Sequence, residues 1–336
     1  MRRYLGTRYS AAAVRIDVAG RPQFVRAYGS VTAASGAPPV FADTRFDVAS
    51  LTKIFVSTVA LVLVGEKRLA LDSPVCDILV EWRATAHAPI TLRMILAHVA
   101  GFRSGADYRT LFDCDVEAFA LREPLVAPPG ETVVYSDLGF IALGTLLARA
   151  TGAGLGSAVR SRLCALGATQ TTFGVPARER VRVAATERDA WRGLLRGVVH
   201  DEKAYLMNGV AGHAGLFASV GDVARAAEWY LAAVRGRWTP LDPGLARTAV
   251  SEVAYDPVLR RGLGWALKTN AENSCGAQMS AASFGHTGFT GTSIWVDPER
   301  DTSVVLLTNA VHFGRTDIRT IRAAVCDAAM RAVDAA

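Results

Sequence analysis

Lysine is nearly missing from this chain. It stands only at positions 53, 67, 203 and 268, although lysine and arginine together number 37. Arginine stays charged at any ordinary pH, whereas a lysine can have its pKa lowered and act as a base. The few lysines, Lys53 above all, are therefore the first candidates for chemistry. A long apolar run is missing too. The longest, near Ile54–Val64, is about half the ~20 residues that a membrane-spanning helix needs, and it reads as a buried core helix. The basic start Met1-Arg2-Arg3-Tyr4-Leu5 is not followed by the apolar stretch of about 7–15 residues that marks a secretory signal. The expectation is a cytoplasmic protein with no membrane partner. The five cysteines (Cys76, Cys114, Cys164, Cys275, Cys326) show no CxxC spacing, so reduced thiols and no metal site are expected. No repeat or low-complexity linker breaks the chain. The net charge of +6 is spread among interleaved acids and bases, which argues against a nucleic-acid partner.

What is present is globular: 336 residues, 51% of them hydrophobic, enough for one complex domain or two intimate lobes. Ala13–Val18 and Gln23–Tyr28 read as strands around the turn Ala19-Gly20-Arg21-Pro22. A helix is expected over 51–64 with Gly65 as its C′ residue, and another over 90–98. Pro128-Pro129-Gly130 interrupts the chain before a helix from about Leu138 to Thr151, capped by Ser136 or Asp137. A helix over 221–234 opens at Gly221-Asp222. Late strands are expected at Gly262–Lys268, Thr292–Asp297 and Thr302–Asn309, then a helix over about 316–334. This order gives an α+β fold: an antiparallel sheet from both chain ends (1–60 and 260–336), flanked by helices, with a mainly helical lobe (61–259) inserted. The cleft between the lobes is the expected ligand site.

Three short motifs fall at that cleft. In VASLTKIF (48–55), Ser50 precedes Lys53 by three residues, one helical turn. A serine hydroxyl is a poor nucleophile until a neighbouring base takes its proton. Tyr135-Ser136-Asp137 follows the Pro-Gly break, and a tyrosine serves as a base only where nearby cations lower its pKa from ~10. His286-Thr287-Gly288-Phe289-Thr290-Gly291 opens a late strand, where glycines let backbone N–H groups approach a substrate.

In this order and spacing the motifs resemble the serine β-lactamase and penicillin-binding-protein-like family, in its class C and esterase branch. The segments 46–53, 95–102, 130–140, 209–219 and 285–295 are each similar to a segment of that family. The resemblance implies its β-lactamase/transpeptidase-like fold and a serine acyl-enzyme. Ser50 would carry the acyl group, Lys53 assist proton removal, and Tyr135 act as general base and then acid. His286 would take the third motif's place, and the backbone N–H groups of Ser50 and Phe289 would form the oxyanion hole. Asp137, Thr287, Gly288 and His312 are the expected substrate-binding residues, and no metal or organic cofactor is implied. His98 and His213 are expected to be structural, and so is His200-Asp201, with the cleft edge as its lesser reading.

Two departures from the family pattern shape the expected substrate. Asp137 replaces an asparagine, so an amide donor is lost, and at close range it would keep Lys53 charged. Tyr135 is then the better base. His286 replaces a lysine, giving a weaker and switchable charge. Both point to small neutral esters or amides. The expected activity is hydrolysis through a Ser50 acyl intermediate. The alternative is acyl transfer to an amine or alcohol in natural-product biosynthesis. A DD-peptidase, a β-lactamase and a non-catalytic binding protein are the lesser readings.

Overall fold

The computed structural model describes residues 1–258, 260–271 and 273–336. In chain order the strands are β1 (Ala11–Val18), β2 (Arg21–Gly29), β3 (Phe46–Asp47), β4 (Thr172–Phe173), β5 (Arg188–Asp189), β6 (Gly193–Leu194), β7 (Leu216–Ala218), β8 (Ala266–Leu267), β9 (Phe284–Gly288), β10 (Thr292–Asp297) and β11 (Thr302–Thr308). The helices are α1 (Thr52–Gly65), α2 (Leu92–Leu96), α3 (Val116–Arg122), α4 (Asp137–Thr151), α5 (Leu155–Ala165), α6 (Glu202–Leu206), α7 (Val220–Val234), α8 (Pro243–Ala249) and α9 (Arg319–Asp334). No single helix among the described residues is long and apolar enough to cross a membrane.

The main sheet is antiparallel, in the order β2-β1-β11-β10-β9-β8, so both ends of the chain build it. β1 and β2 turn back through Ala19 and Gly20 alone, both at positive φ (49° and 73°), as a tight two-residue hairpin loop requires. Arg21 and Pro22 are already strand residues. Pro22 sits on the exposed edge strand, beside a register shift at Ile16/Asp17, where a missing N–H costs little. The central strands β10 and β11 are buried throughout. Their alternation divides the core. Trp295 and Val304, paired across the ladder, pack with Cys326, Ala329 and Met330 of α9. Ile294, Val296, Val305 and Leu307 pack on the opposite face with α1 and α7.

Helix α1 is buried on nearly every side from Thr52 to Leu61, which is how an all-round apolar helix is stabilised. It ends differently from expectation. Gly65 is its last helical residue, and the left-handed residue is Lys67 (φ 59°). Other boundaries move as well. The helix expected over 90–98 is only Leu92–Leu96, capped by Thr91. The strand expected at Gly262–Lys268 contracts to Ala266–Leu267, because Gly264 (φ 77°) turns the chain against α1. α7 is capped by Ser219, while Asp222 accepts from Gln170 N and Thr171 Oγ1. The lobe boundary expected at 259 lies outside the described residues.

The segment 211–213 lies hard against α4. A Cβ on Gly212 would overlap the Phe140 carbonyl oxygen, so only glycine permits this approach. Gly212→Ala is therefore expected to destabilise the fold by at least about 1–3 kcal/mol, the usual cost of overpacking. Denaturant midpoints of the two proteins check this, and an unchanged midpoint would show that the contact can relax.

Candidate active site

Ser50 lies on a single 3-10 turn, Ala49–Leu51, just ahead of α1. The residue before it, Ala49, has φ 47°, a conformation costly for a side chain with a Cβ. A net of hydrogen bonds holds it there. Asp47 accepts from Ala49 N (2.8 Å) and from His200 N (2.7 Å). Thr290 Oγ1 donates to Asp47 O, Thr292 Oγ1 donates to Val48 O, and Val48 N donates to Leu216 O. Gly288 belongs to the same joint: a Cβ there would strike Val48 O and Thr292 Oγ1. β9 therefore lies directly on the Ser50 segment, and Ser50 and Phe289 line the same cleft.

Lys53 is fully buried. Its ammonium donates to Ser50 Oγ (3.2 Å), Asp137 Oδ1 (2.8 Å) and His213 O (3.2 Å). Burial alone would pull its pKa down. The Asp137 carboxylate and the Tyr135 phenol outweigh that and hold it above the usual lysine range. Asp137 does not face a substrate with a free oxygen, as the sequence suggested. Its second oxygen pairs with Lys203 Nζ (3.3 Å), which also reaches Asp201 Oδ2 (3.4 Å). Asp201 Oδ1 lies 2.8 Å from His213 Nε2. Burial works against both carboxylates. Lys53, His213 and Lys203 nonetheless hold Asp137 below its ordinary range, and His213 and Lys203 hold Asp201 well below it. Positive and negative groups thus alternate inward from Ser50. The ligating atoms of Asp137, Asp201 and His213 lie within 4.8 Å of one another. Lys203, paired with both carboxylates, already supplies the cationic charge there.

Tyr135 faces this network from the start of α4. Lys53 Nζ lies 4.7 Å from its ring centroid, and Arg261 Cζ lies 5.3 Å from it. The rings of His98 and His286 lie 4.7 and 6.0 Å away. His98, at φ 61°, accepts from Ser136 N through Nδ1 (3.1 Å), which fixes the start of α4. Ser136 caps that helix by accepting from Gly139 N. Burial, then the charges of Arg261 and Lys53, push His98 well below the usual histidine range. His286 Nδ1 faces the carbonyl oxygen of Thr287 (2.8 Å), so Nδ1 bears the proton. Burial first, then Lys53 and Arg261, bring its pKa to about 3. His286 is neutral here, not the switchable charge that its type suggested.

Ser50, Tyr135, Arg261, His286, Thr287 and Phe289 line one cleft of about 670 Å³, and Gly288 lies with them. His312 is turned away from it. Its Nδ1 faces Thr186 O (2.8 Å) and its Nε2 accepts from Ala33 N (3.1 Å), so both ring nitrogens tie loops together. His200 is not among the residues lining the cleft; it stacks on Phe289 at 5.7 Å, and its Nε2 lies 2.8 Å from Glu187 Oε2. Sequence reasoning missed Lys203 as Asp137's second partner, although lysine scarcity marks it as plainly as Lys53. It also missed Arg261, which nothing distinguishes among so many arginines.

The beta-lactamase family model matches residues 2–328. A relative from Escherichia coli (strain K12), described as "Putative D-alanyl-D-alanine carboxypeptidase", is 31% identical over 304 residues, covering 80% of this chain and 70% of that one. Among solved structures, a class C beta-lactamase from Rhodobacter sphaeroides superposes with TM-score 0.78 at 20% identity, covering 100% and 98% of the two chains. EstCE1, a hydrolase with promiscuous acyltransferase activity, superposes with TM-score 0.77 at 22% identity, covering 97% and 96%. The sheet and helices described above are the fold of those structures, and the chain belongs to the beta-lactamase family of serine hydrolases and acyltransferases.

Proposed function

We propose that this protein hydrolyses carboxylic esters or amides through an acyl intermediate on Ser50. One observation carries the reading. The Lys53 ammonium joins the Ser50 hydroxyl to the Asp137 carboxylate while lying against the Tyr135 ring. A lysine so paired stays charged. It supports a neighbouring anion and leaves proton transfer to another group. Tyr135, in its deprotonated form, takes the proton from Ser50 Oγ as that oxygen attacks the substrate carbonyl carbon. The backbone N–H groups of Ser50 and Phe289 hold the resulting oxyanion, and each such donor is worth roughly 10²–10³ in rate. Tyr135 then passes its proton to the leaving alcohol or amine. Water enters, gives a proton to Tyr135, and releases the acid, after which the proton returns to Ser50.

A neutral His286 and an aspartate engaged by two lysines favour small uncharged acyl donors. The name of the Escherichia coli relative favours a second reading, a peptide ending in D-alanine. It requires recognition of a substrate carboxylate and of an amide carbonyl, for which His286 and Asp137 supply neither a charge nor a donor, so any such charge would have to come from the arginines that also line the cleft, Arg261, Arg315, Arg319 and Arg322. Side-by-side assays with a p-nitrophenyl ester, a D-Ala-D-Ala peptide and a fluorescent penicillin separate the two. Ester turnover without penicillin labelling is expected. EstCE1's acyltransferase activity keeps transfer in view, and added amines would divert the acyl group from water if the acceptor site is built for them.

Ser50→Ala is expected to abolish covalent labelling by a fluorophosphonate or an activated ester, read by intact mass. A wild-type protein with no adduct on Ser50 would end the proposal. A second outcome concerns His286. Its depressed pKa keeps it neutral in the folded state down to about pH 3, so its ring resonances should not titrate between pH 8 and 5 in NMR spectra. The unfolded chain binds that proton below the ordinary histidine pKa near ~6.5. Stability should therefore fall as pH drops from there toward 3, and less steeply in His286→Gln.

A further inference from the structure

The Ser50 reading leaves one group unexplained. Arg261 is buried, 8% exposed, yet it opens on the cleft beside Ser50. Its backbone is locked: N donates to Ala254 O (2.9 Å), and O accepts from Val253 N (2.9 Å) and Ala254 N (3.1 Å). The following turn at Gly264 presses on α1 at Ser57 and close to the Lys53 carbonyl. The side chain is thus delivered to the same wall as Lys53. Among the described residues, however, no acceptor takes a hydrogen bond or ion pair from the guanidinium, and Nε is buried without a partner. A buried charge in that state is costly to hold. Interiors keep such groups where something else requires them.

The group that Arg261 does meet is the Tyr135 ring, 5.3 Å from its Cζ. The other groups facing Tyr135 come from three elements. Lys53 comes from α1, with Asp137 of α4 behind it. His98 follows α2. His286 comes from β9. His98 and His286 are neutral, and Lys53 shares its charge with Asp137. A tyrosine that works as a base needs positive charge around it, and the third motif supplies none here.

We propose that Arg261 is the second cation of the Tyr135 base: its guanidinium, held 5.3 Å from the ring centroid, supplies positive charge to the deprotonated phenol. Arg261 acts through Tyr135, so it is a positioning residue for charge. The proposal rests on Ser50 as the acyl-enzyme nucleophile. It also accounts for the buried guanidinium without a partner, since the anion it serves is transient. In the resting state its pKa is pulled below the usual arginine range by burial, with Tyr135 and Asp256 opposing.

The test is the pH dependence of Ser50 acylation by a neutral p-nitrophenyl ester, followed as the burst phase. Removing a cation that favours the deprotonated phenol makes the base easier to protonate. The acidic limb of the profile should therefore move to higher pH by roughly 1–3 units in Arg261→Gln and Arg261→Met, and lie nearer wild type in Arg261→Lys. Arg261 also helps hold His98 and His286 neutral. The same displacement should therefore appear in His98→Gln and His286→Gln backgrounds, where one histidine titration is absent. Thermal unfolding provides the second readout: Arg261→Met should be at least as stable as wild type, since it deletes a buried charge without an acceptor. A limb that stays in place, with Arg261→Met less stable than wild type, would make Arg261 a packing residue and overturn the proposal. Failure of wild type to form the Ser50 adduct would instead remove the reading beneath it.

Discussion

An ammonium group with no access to water organises this molecule. Lys53 is fully buried at the head of an apolar helix, and such a charge is stable only with good acceptors on the remaining sides. One acceptor comes from α4, as Asp137, and another from the 209–215 segment, as the His213 carbonyl. Neither is near Lys53 in sequence. The packing of α4 beside α1, the cap at Ser136, the turn held by His98 and the close approach at Gly212 can be read as what it takes to bring them there. Ser50 is the third group in contact with the ammonium, so the constraint that makes the interior tolerable also orients the nucleophile.

The counter-charge then needs its own counter-charge. Asp137 is shared by two lysines, and Lys203 is shared by two aspartates, the second of which holds His213. The two lysines and two aspartates of the row sum to zero charge, which limits their desolvation cost while keeping all four ionised. An asparagine at 137 would accept from one lysine and leave Lys203 with a single carboxylate. The aspartate is therefore fixed by its two local partners, Lys53 and Lys203. On the proposed mechanism the consequence for chemistry is direct: with Lys53 held charged, proton transfer falls to the phenol lying beside it.

Much of this was legible in the sequence, for identifiable reasons. The hairpin at the N-terminus, the two late strands and the capped helix after Ser136 are local patterns, and each appears close to where alternation and turn residues put it. Ser50, Lys53, Tyr135 and His286 are brought together because their spacing carries the family's architecture with it. His312 and His286 were misread because of contacts distant in sequence, Gly65 because of local bonds at the end of α1. His312 follows a strand whose end points toward the cleft, but its ring is drawn to Ala33 and Thr186, more than a hundred residues away. Gly65 looked like a helix terminator, yet the left-handed turn came two residues later at Lys67. His286 carries the right residue type for a charge, and only burial beside two cations makes it neutral.

Two features of this protein stand against folding rather than for it. Ala49 is held at positive φ immediately before the nucleophile, and Arg261 is buried without an acceptor. Positive φ and buried polar atoms without partners also occur elsewhere in the chain, as at Lys67 and Asn208 and at Thr145 and Arg162, but glycine at 49 or an uncharged residue at 261 would relieve these two. Both lie beside the cleft, Ala49 next to Ser50 and Arg261 against the Tyr135 ring. The surrounding structure over-determines each: the bonds among Asp47, Val48, Thr290 and Thr292 fix the first, and the Val253–Ala254 contacts fix the second. A rigid frame that maintains strain and unpaired charge at a single place is what a preorganised catalytic site requires, because a group already in position needs no rearrangement when charge develops on the reacting atoms.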